Sequence, residues 1–127
     1  MTQLYTLLES PNLLQFPELY RSLGIEETRF HSSRQLNKAI AKQPPDILLA
    51  EFRYGFGNNY AGVNISNLDV TLYALQRHAP EARLIVVADR SEREHIPKLE
   101  AIFKLDASLI LPFDVSLMRK TLTELGF

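Results

Sequence analysis

Five short strand-like stretches alternate along the chain with stretches that have the apolar spacing of helices. The predicted strands are residues 4–8, 28–32, 47–51, 84–88 and 109–111. Between and after them, apolar residues recur at intervals of three and four, as on the buried face of an amphipathic helix. Because this alternation needs a crossover between successive strands, it predicts a parallel sheet with helices on both faces and right-handed connections.

Residues that cap or interrupt helices mark the predicted helix boundaries. The predicted helices are about residues 13–23, 33–43, 66–78, 91–103 and 114–125. Ser33 and Asp114 are the predicted N-caps of the second and last helices, since their side-chain oxygens can accept from free backbone N–H groups. Ser91 and Glu94 have the spacing of a capping box. Pro17 is expected near the start of the first helix, where its missing N–H is harmless.

The third predicted strand combines an apolar run with a carboxylate at its end. Residues 47–50 are apolar without interruption, as expected of a central strand that is buried on both faces of the sheet. Glu51 follows directly. Ligands and chemistry in open α/β sheets gather outside the carboxyl ends of the strands. The sequence therefore predicts that Glu51 lies at the functional edge of the sheet.

The composition limits the classes of function that are open to this chain. Its 127 residues suffice for one hydrophobic core, so one domain is predicted, residues 1–127. The 14 basic and 15 acidic residues form no Lys/Arg-rich stripe, which argues against nucleic-acid binding by this domain. The lack of cysteine excludes disulfides, thiolate metal sites and cysteine nucleophiles. The sequence has no signal peptide and no membrane-length apolar run, so a cytoplasmic protein without a membrane anchor is expected.

A segment rich in glycine and aromatic residues, residues 53–67, follows Glu51. It holds three of the 5 glycines, and residues 52–60 hold four of the 7 Phe and 5 Tyr residues. One interpretation is a loop that binds a protein partner, because aromatic residues and arginine are frequent interface anchors. The other is that the rings pack over the edge of the sheet as a local core. The candidate partner-contact residues are Arg53, Tyr54, Phe56, Asn58, Asn59 and Tyr60.

Three local motifs and the order of the elements are typical of one known family. The motifs are Pro45-Asp46 before the third strand, the apolar fourth strand, and Pro112-Phe113-Asp114 after the fifth. Together with the five β-α units they resemble the receiver domain of bacterial two-component response regulators, over the whole chain. The resemblance implies an α/β fold, a flavodoxin-like (βα)5 doubly wound sandwich whose five-stranded parallel sheet has the order 2-1-3-4-5.

The chain departs from the receiver pattern at the positions that serve phosphoryl transfer. An active receiver has an acidic pair after the first strand, an acceptor Asp after the third, Ser or Thr after the fourth, and Lys before the proline that follows the fifth. The corresponding residues here are Leu8 and Glu9, Glu51, Ala88, and Leu111. The chemistry needs a carboxylate nucleophile, Mg²⁺ on several oxygens and positive charge on the phosphoryl group. The resemblance therefore implies a degenerate receiver, a pseudo-receiver, without a phosphorylation cycle.

The sequence supports two hypotheses of different classes. The first is a non-catalytic pseudo-receiver that acts in bacterial signalling through contact with protein partners, without catalytic residues, metal or cofactor; a homodimer stays open. In this hypothesis Glu51 is either a permanent stand-in for phospho-aspartate or a remnant in a site that no longer acts. The second is a flavodoxin-like small-molecule binding or hydrolytic domain that uses Glu9, Glu51 and Asp89 with the segment 53–67.

Overall fold

The computed structural model describes residues 1–10, 12–55 and 66–127, and these form a parallel sheet flanked by helices. The strands are β1 (Thr2–Leu7), β2 (Ile25–Phe30), β3 (Ile47–Glu51), β4 (Arg83–Ala88) and β5 (Ala107–Ile110). The helices are α1 (Pro17–Ser22), α2 (Ser33–Lys42), α3 (Asp69–His78), α4 (Ile96–Glu100) and α5 (Val115–Glu124), and a 3-10 helix (Arg90–His95) precedes α4.

The strands are ordered β2-β1-β3-β4-β5, and every neighbouring pair is parallel. This confirms the predicted α/β fold, a flavodoxin-like doubly wound sheet of order 2-1-3-4-5. Within the described ranges, no helix combines the length and the apolar character that a membrane crossing requires.

The central strand β3 is the place where the two apolar layers of the protein meet. All five of its residues are buried. Successive side chains of a strand point to opposite faces of the sheet. Leu48 and Ala50 accordingly pack in a layer with residues of α2, α3 and α4, whereas Ile47 and Leu49 pack in a layer with residues of α1 and α5. Glu51, the last residue of β3, therefore lies at the carboxyl edge of the sheet, where the two layers end.

Several predicted element boundaries were wrong in the N-terminal half. The helix predicted at residues 13–23 forms only from Pro17, its first residue, and the chain before it turns at Leu14 with a φ of 54°. The Arg29 side chain on β2 donates to the carbonyl oxygens of Leu13 and Leu14 at 3.0 and 2.8 Å, which holds this turn. The strand predicted at residues 28–32 is β2, which spans Ile25–Phe30. The prediction missed its first residues because charged side chains on an edge strand obscure the apolar pattern.

The remaining boundaries differ by a few residues. β1 and β5 begin at residues 2 and 107 rather than 4 and 109, and α3 begins at Asp69 rather than at residue 66 or 67. Before α3, the Ser66 hydroxyl accepts from the Leu68 N–H at 3.1 Å and donates to Asp69 at 2.8 Å. This buried hydroxyl shapes a turn where the pattern predicted the first helical residues.

The predicted caps of α2 and α5, both ten residues long, had different outcomes. Asp114 is the N-cap of α5, as predicted, and its Oδ1 accepts from the N–H groups of Ser116 and Leu117 at 3.0 and 3.3 Å. In α2 the prediction was wrong by one residue. Ser32 is the N-cap, with an extended backbone and an Oγ that accepts from the Gln35 N–H at 3.2 Å, so Ser33 is the first helical residue.

The predicted capping box of the fourth helix is also wrong. Asp89, directly after β4, accepts from the N–H and the hydroxyl of Ser91 at 2.9 and 2.7 Å. This turn starts a 3-10 helix at Arg90, and α4 begins only at Ile96. Since the Ser91 hydroxyl donates back to Asp89, Ser91 is inside the helical turn rather than at its cap. α4 is consequently only five residues long.

Shortening a buried side chain on β3 tests the two-layer core. Leu48 is fully buried, and Leu48→Ala is expected to lower the free energy of unfolding by about 2–5 kcal/mol, because it removes apolar contacts and leaves a cavity. Urea denaturation followed by circular dichroism measures this change. The matched control is Leu117→Ala on α5, where the leucine is 37% exposed and the expected loss is under about 1 kcal/mol. Equal losses for the two variants would contradict the described core.

Candidate functional site

Glu51 lies at the carboxyl edge of the sheet and is almost completely buried. Only 8% of its surface is exposed. One carboxylate oxygen, Oε1, accepts a hydrogen bond from the backbone N–H of Glu9 at 2.9 Å. This bond ties the chain that leaves β1 to the end of β3. The structure thus brings Glu9 and Glu51 together, but through the backbone of Glu9 and not through its carboxylate.

The side chain of Glu9 turns instead toward Arg53. The Arg53 Nε lies 3.3 Å from Glu9 Oε1, and both side chains are about half exposed. A pair so accessible to water contributes little to stability, typically under about 1 kcal/mol. Its consequence is local: the Glu9 carboxylate is neutralised by a residue that lies two positions beyond the end of β3.

Asn67 fastens both ends of the segment 53–67, and sequence reasoning assigned it no role in the site. Its Nδ2 donates to the backbone oxygen of Glu51 at 2.8 Å, and its Oδ1 accepts from the Arg53 N–H at 2.7 Å. Its own N–H donates to the Arg53 carbonyl at 3.1 Å. An Asn side chain that mimics the backbone in this way is common where a connection closes on itself. The sequence clue to this role was the position of Asn67 at the start of the helix predicted at residues 66–78.

Ala88 and Leu111, which the resemblance matches to the hydroxyl and lysine positions of a receiver, lie in apolar surroundings. Ala88 is fully buried at the end of β4, and its carbonyl accepts from the Leu111 N–H at 2.8 Å. Leu111 precedes a cis peptide bond to Pro112. Leu8 and Leu111 both pack against the layer that contains α1 and α5. Ala88 and Leu111 therefore offer no hydroxyl and no ammonium group at these two positions.

Tyr54 is fixed against the 3-10 helix and α4. Its N–H donates to Glu92 at 2.9 Å, and its ring stacks on the imidazole of His95 with centroids 4.0 Å apart and 10° between the planes. The Lys98 Nζ lies 4.2 Å from the centre of the same ring. Even so, Tyr54 remains 41% exposed. The ring is directed toward α4 and stays accessible to a partner.

The structure tests the two interpretations of the segment 53–67 only at the residues that it describes. Phe52 is fully buried in the layer of α2, α3 and α4, so it belongs to the core. Four of the candidate contact residues lie outside the described residues: Phe56, Asn58, Asn59 and Tyr60. Of the predicted contact set, the structure describes only Arg53 and Tyr54.

The three carboxylates of the second hypothesis are directed to different partners. Glu9 pairs with Arg53, Glu51 accepts from a backbone N–H, and Asp89 caps the 3-10 helix. Within residues 1–10, 12–55 and 66–127, no three His, Asp or Glu side chains lie close enough together to hold a metal ion. The arrangement lacks the convergence that a hydrolytic centre built on these three residues would need.

The hydrogen bonds from Ser91 also act on the titration of Asp89. The Ser91 hydroxyl, and then the Ser91 N–H, stabilise the charged carboxylate and hold the pKa of Asp89 below its ordinary value of 3.8. Because the pKa is lowered by folding, the stabilisation is fully present above pH 3.8 and is lost as the pH falls through the folded-state value.

A small cavity lies beside Glu51, on the side of β1 and β2. Its volume is about 230 Å³. Its walls come from the ends of β1 and β3, from the first residues of α2 and from Asn67; the lining residues are Leu7, Leu8, Glu9, His31, Ser32, Ser33, Glu51 and Asn67. The imidazole of His31 is the one aromatic ring among them, and no Phe or Tyr of the described residues lines this side of the site.

The fold is similar to that of solved bacterial receiver domains. A response regulator receiver domain protein from Clostridium thermocellum matches with a TM-score of 0.71 and 12% identity, over 98% of this chain and 93% of that chain. A response regulator from Desulfuromonas acetoxidans matches with a TM-score of 0.67 and 12% identity over 100% of both chains. An adenylate cyclase structure from Rhodopirellula baltica matches with a TM-score of 0.71 and 14% identity, over 96% and 84%. At identities this low the similarity shows a shared fold and not a shared activity.

No protein-family model and no curated protein matches the sequence. The receiver-like fold is therefore established by the structure, from the strand order and from the solved structures that share it.

The Asp89 cap can be tested by its titration. Ser91→Ala removes the hydroxyl that contributes most to the lowered pKa, so the pKa of Asp89 is expected to rise toward 3.8. Carboxyl ¹³C chemical shifts recorded against pH measure it directly. Ser116→Ala is the matched control, because Ser116 also follows a capping aspartate by two residues, and it should leave Asp89 unchanged. A pKa of Asp89 that does not respond to Ser91→Ala would refute the described cap.

Proposed function

We propose that the chain is a non-catalytic pseudo-receiver of a bacterial two-component pathway that acts through protein–protein contact without phosphorylation. The solved structures that share its fold include proteins described as response regulators, which supports the signalling context. The proposal treats residues 1–127 as one domain with no resident cofactor.

The environment of Glu51 is the observation that supports a domain without phosphorylation. A receiver-type transfer needs a metal held by several oxygens and a cation that neutralises the transferred group. Here one oxygen of the Glu51 carboxylate accepts from the Glu9 N–H, and the residues at the hydroxyl and lysine positions of the receiver pattern are Ala88 and Leu111. Glu9 is engaged by Arg53. These residues provide neither the metal ligands nor the positive charge.

A phosphoryl-analogue experiment tests this proposal. Incubation with acetyl phosphate, or with beryllofluoride and Mg²⁺, is expected to leave the intact mass and the ¹H–¹⁵N NMR spectrum unchanged. A phosphorylatable receiver domain treated in parallel is the positive control and should form its adduct. A Mg²⁺-dependent adduct on Glu51 would overturn the proposal.

Tyr54, Glu92, His95 and Lys98 form a group that we call the Tyr54 cluster. Its exposed part supports a partner surface next to the carboxyl edge of the sheet. The stack on His95 and the bond to Glu92 order an exposed aromatic ring before any partner arrives, which lowers the entropic cost of association. Arg53, half exposed beside it, adds a charged anchor. The measurements described next also show whether a second copy of the chain is such a partner.

Removal of the Tyr54 ring tests the surface. Tyr54→Ala is expected to weaken capture of protein partners by the immobilised chain roughly tenfold or more, as is typical of an aromatic interface anchor. Quantitative mass spectrometry of captured proteins measures this, and sedimentation reports self-association. Tyr73→Ala is the matched control, because Tyr73 on α3 is also an exposed tyrosine, 56% accessible, that lies outside the cluster. Equal capture by the wild type and the Tyr54 variant would exclude the cluster as the partner surface.

A further inference from the structure

Glu51 is a buried carboxylate without a cationic partner among the described residues. None of the ion pairs in the described ranges includes it, and its one hydrogen bond comes from the Glu9 N–H. The undescribed residues, Pro11 and 56–65, contain no Lys, Arg or His, so they cannot supply the missing charge. The second carboxylate oxygen of Glu51 has no hydrogen-bond partner among the described residues but is not sealed from solvent. Carboxylates with so little exposed surface are ordinarily paired. The cavity beside Glu51 is the space from which a cation could reach it.

A second wall of this cavity carries hydrogen-bond donors, which complement the Glu51 carboxylate. Ser32 and Ser33, at the N-terminal end of the ten-residue helix α2, both line it. The Ser32 Oγ already satisfies the Gln35 N–H, but within the described ranges nothing accepts from the N–H of Ser33. Free N–H groups and the helix dipole favour an anionic group at this position. The exposed hydroxyl of Ser33 adds another donor.

From the two walls together we infer that the cavity is a binding site for a small zwitterion, an α-amino acid with a short side chain. Its ammonium group would pair with the free carboxylate oxygen of Glu51, and its carboxylate would accept from the N–H and hydroxyl of Ser33. A lone anion would be repelled by Glu51. A lone divalent cation would find Glu51 and Glu9, of which Glu9 is already paired with Arg53, rather than the several free oxygens it requires. A ligand that carries both charges satisfies both walls.

The volume of the cavity agrees with this class of ligand. The cavity, at about 230 Å³, is smaller than the pockets of roughly 300 Å³ or more that hold drug-sized molecules. Glycine, alanine, serine and threonine are ligands of the small size that such a cavity favours. The inference rests on the proposed function in one respect: a Glu51 that carries no phosphoryl group keeps its carboxylate available to a ligand.

A titration of the ¹⁵N-labelled protein tests the site. Glycine, L-alanine, L-serine and L-threonine are added at millimolar concentration, and ¹H–¹⁵N shifts of residues 9, 33 and 51 are followed. Saturable shifts at these positions by at least one amino acid are expected. Propionate lacks the ammonium group and L-alaninamide lacks the carboxylate, so both should bind at least roughly tenfold more weakly. The absence of saturable shifts with all four amino acids would overturn the inference.

Two variants separate the walls of the site without removing structural contacts. Glu51→Gln keeps an oxygen for the Glu9 N–H and removes the charge. Ser33→Pro removes the N–H and the hydroxyl at the first helical position, where proline is well tolerated, and the extended backbone of Ser32 suits a residue before proline. Each variant is expected to weaken amino-acid binding roughly tenfold or more. Binding that survives either substitution at full strength would overturn the inference.

Matched controls and one further addition complete the experiment. Glu94→Gln changes the charge of a largely exposed glutamate, and Val115→Pro places proline at the first residue of α5; neither residue lines the cavity, and both variants should bind as the wild type does. Mg²⁺ is added alone in the same titration. Glu51-dependent binding of Mg²⁺ without binding of any amino acid would overturn the inference. Failure of the proposed function is distinguishable, because it requires a phosphoryl-type adduct on Glu51 rather than a loss of amino-acid binding.

Discussion

The burial of β3 on both faces is the constraint on which the rest of the structure depends. Its apolar residues divide between two layers, so both faces of the strand must be covered. A strand so enclosed must end where the layers open, and here it ends in a carboxylate. The position and the burial of Glu51 are therefore consequences of core packing. Its partners, the Glu9 N–H and the Asn67 amide on its backbone oxygen, make that burial tolerable.

The carboxyl edge of the sheet is divided into an apolar and a polar half. Toward β4 and β5, Ala88 and Leu111 continue the core to the rim. Toward β1 and β2, the cavity is lined by Glu51, Asn67 and the two serines at the start of α2. The two halves therefore differ in character: apolar packing reaches the rim on one side, and polar groups line a cavity on the other.

Acidic residues at this edge serve structural roles that a sequence pattern does not distinguish from catalytic ones. Asp89 follows a buried strand, as a functional aspartate would, yet its carboxylate accepts two hydrogen bonds from Ser91 and begins a 3-10 helix. Glu9 likewise follows β1 but is paired with Arg53. Each carboxylate was correctly expected at the edge, because strand ends can be predicted from apolar runs. Side-chain direction could not be predicted, because it depends on donors that lie far away in sequence.

The alternation of apolar runs and helical periods by itself determined the α/β class and the central place of residues 47–51, since a fully apolar strand must be covered on both faces. The Asp114 cap followed in the same way from local chemistry. Only the tertiary structure decided which serine caps α2, how far β2 extends as an edge strand, and that Glu51 faces a cavity opposite the start of a helix. Those outcomes depend on contacts between residues distant in sequence, and local periodicity carries no information about which distant groups meet.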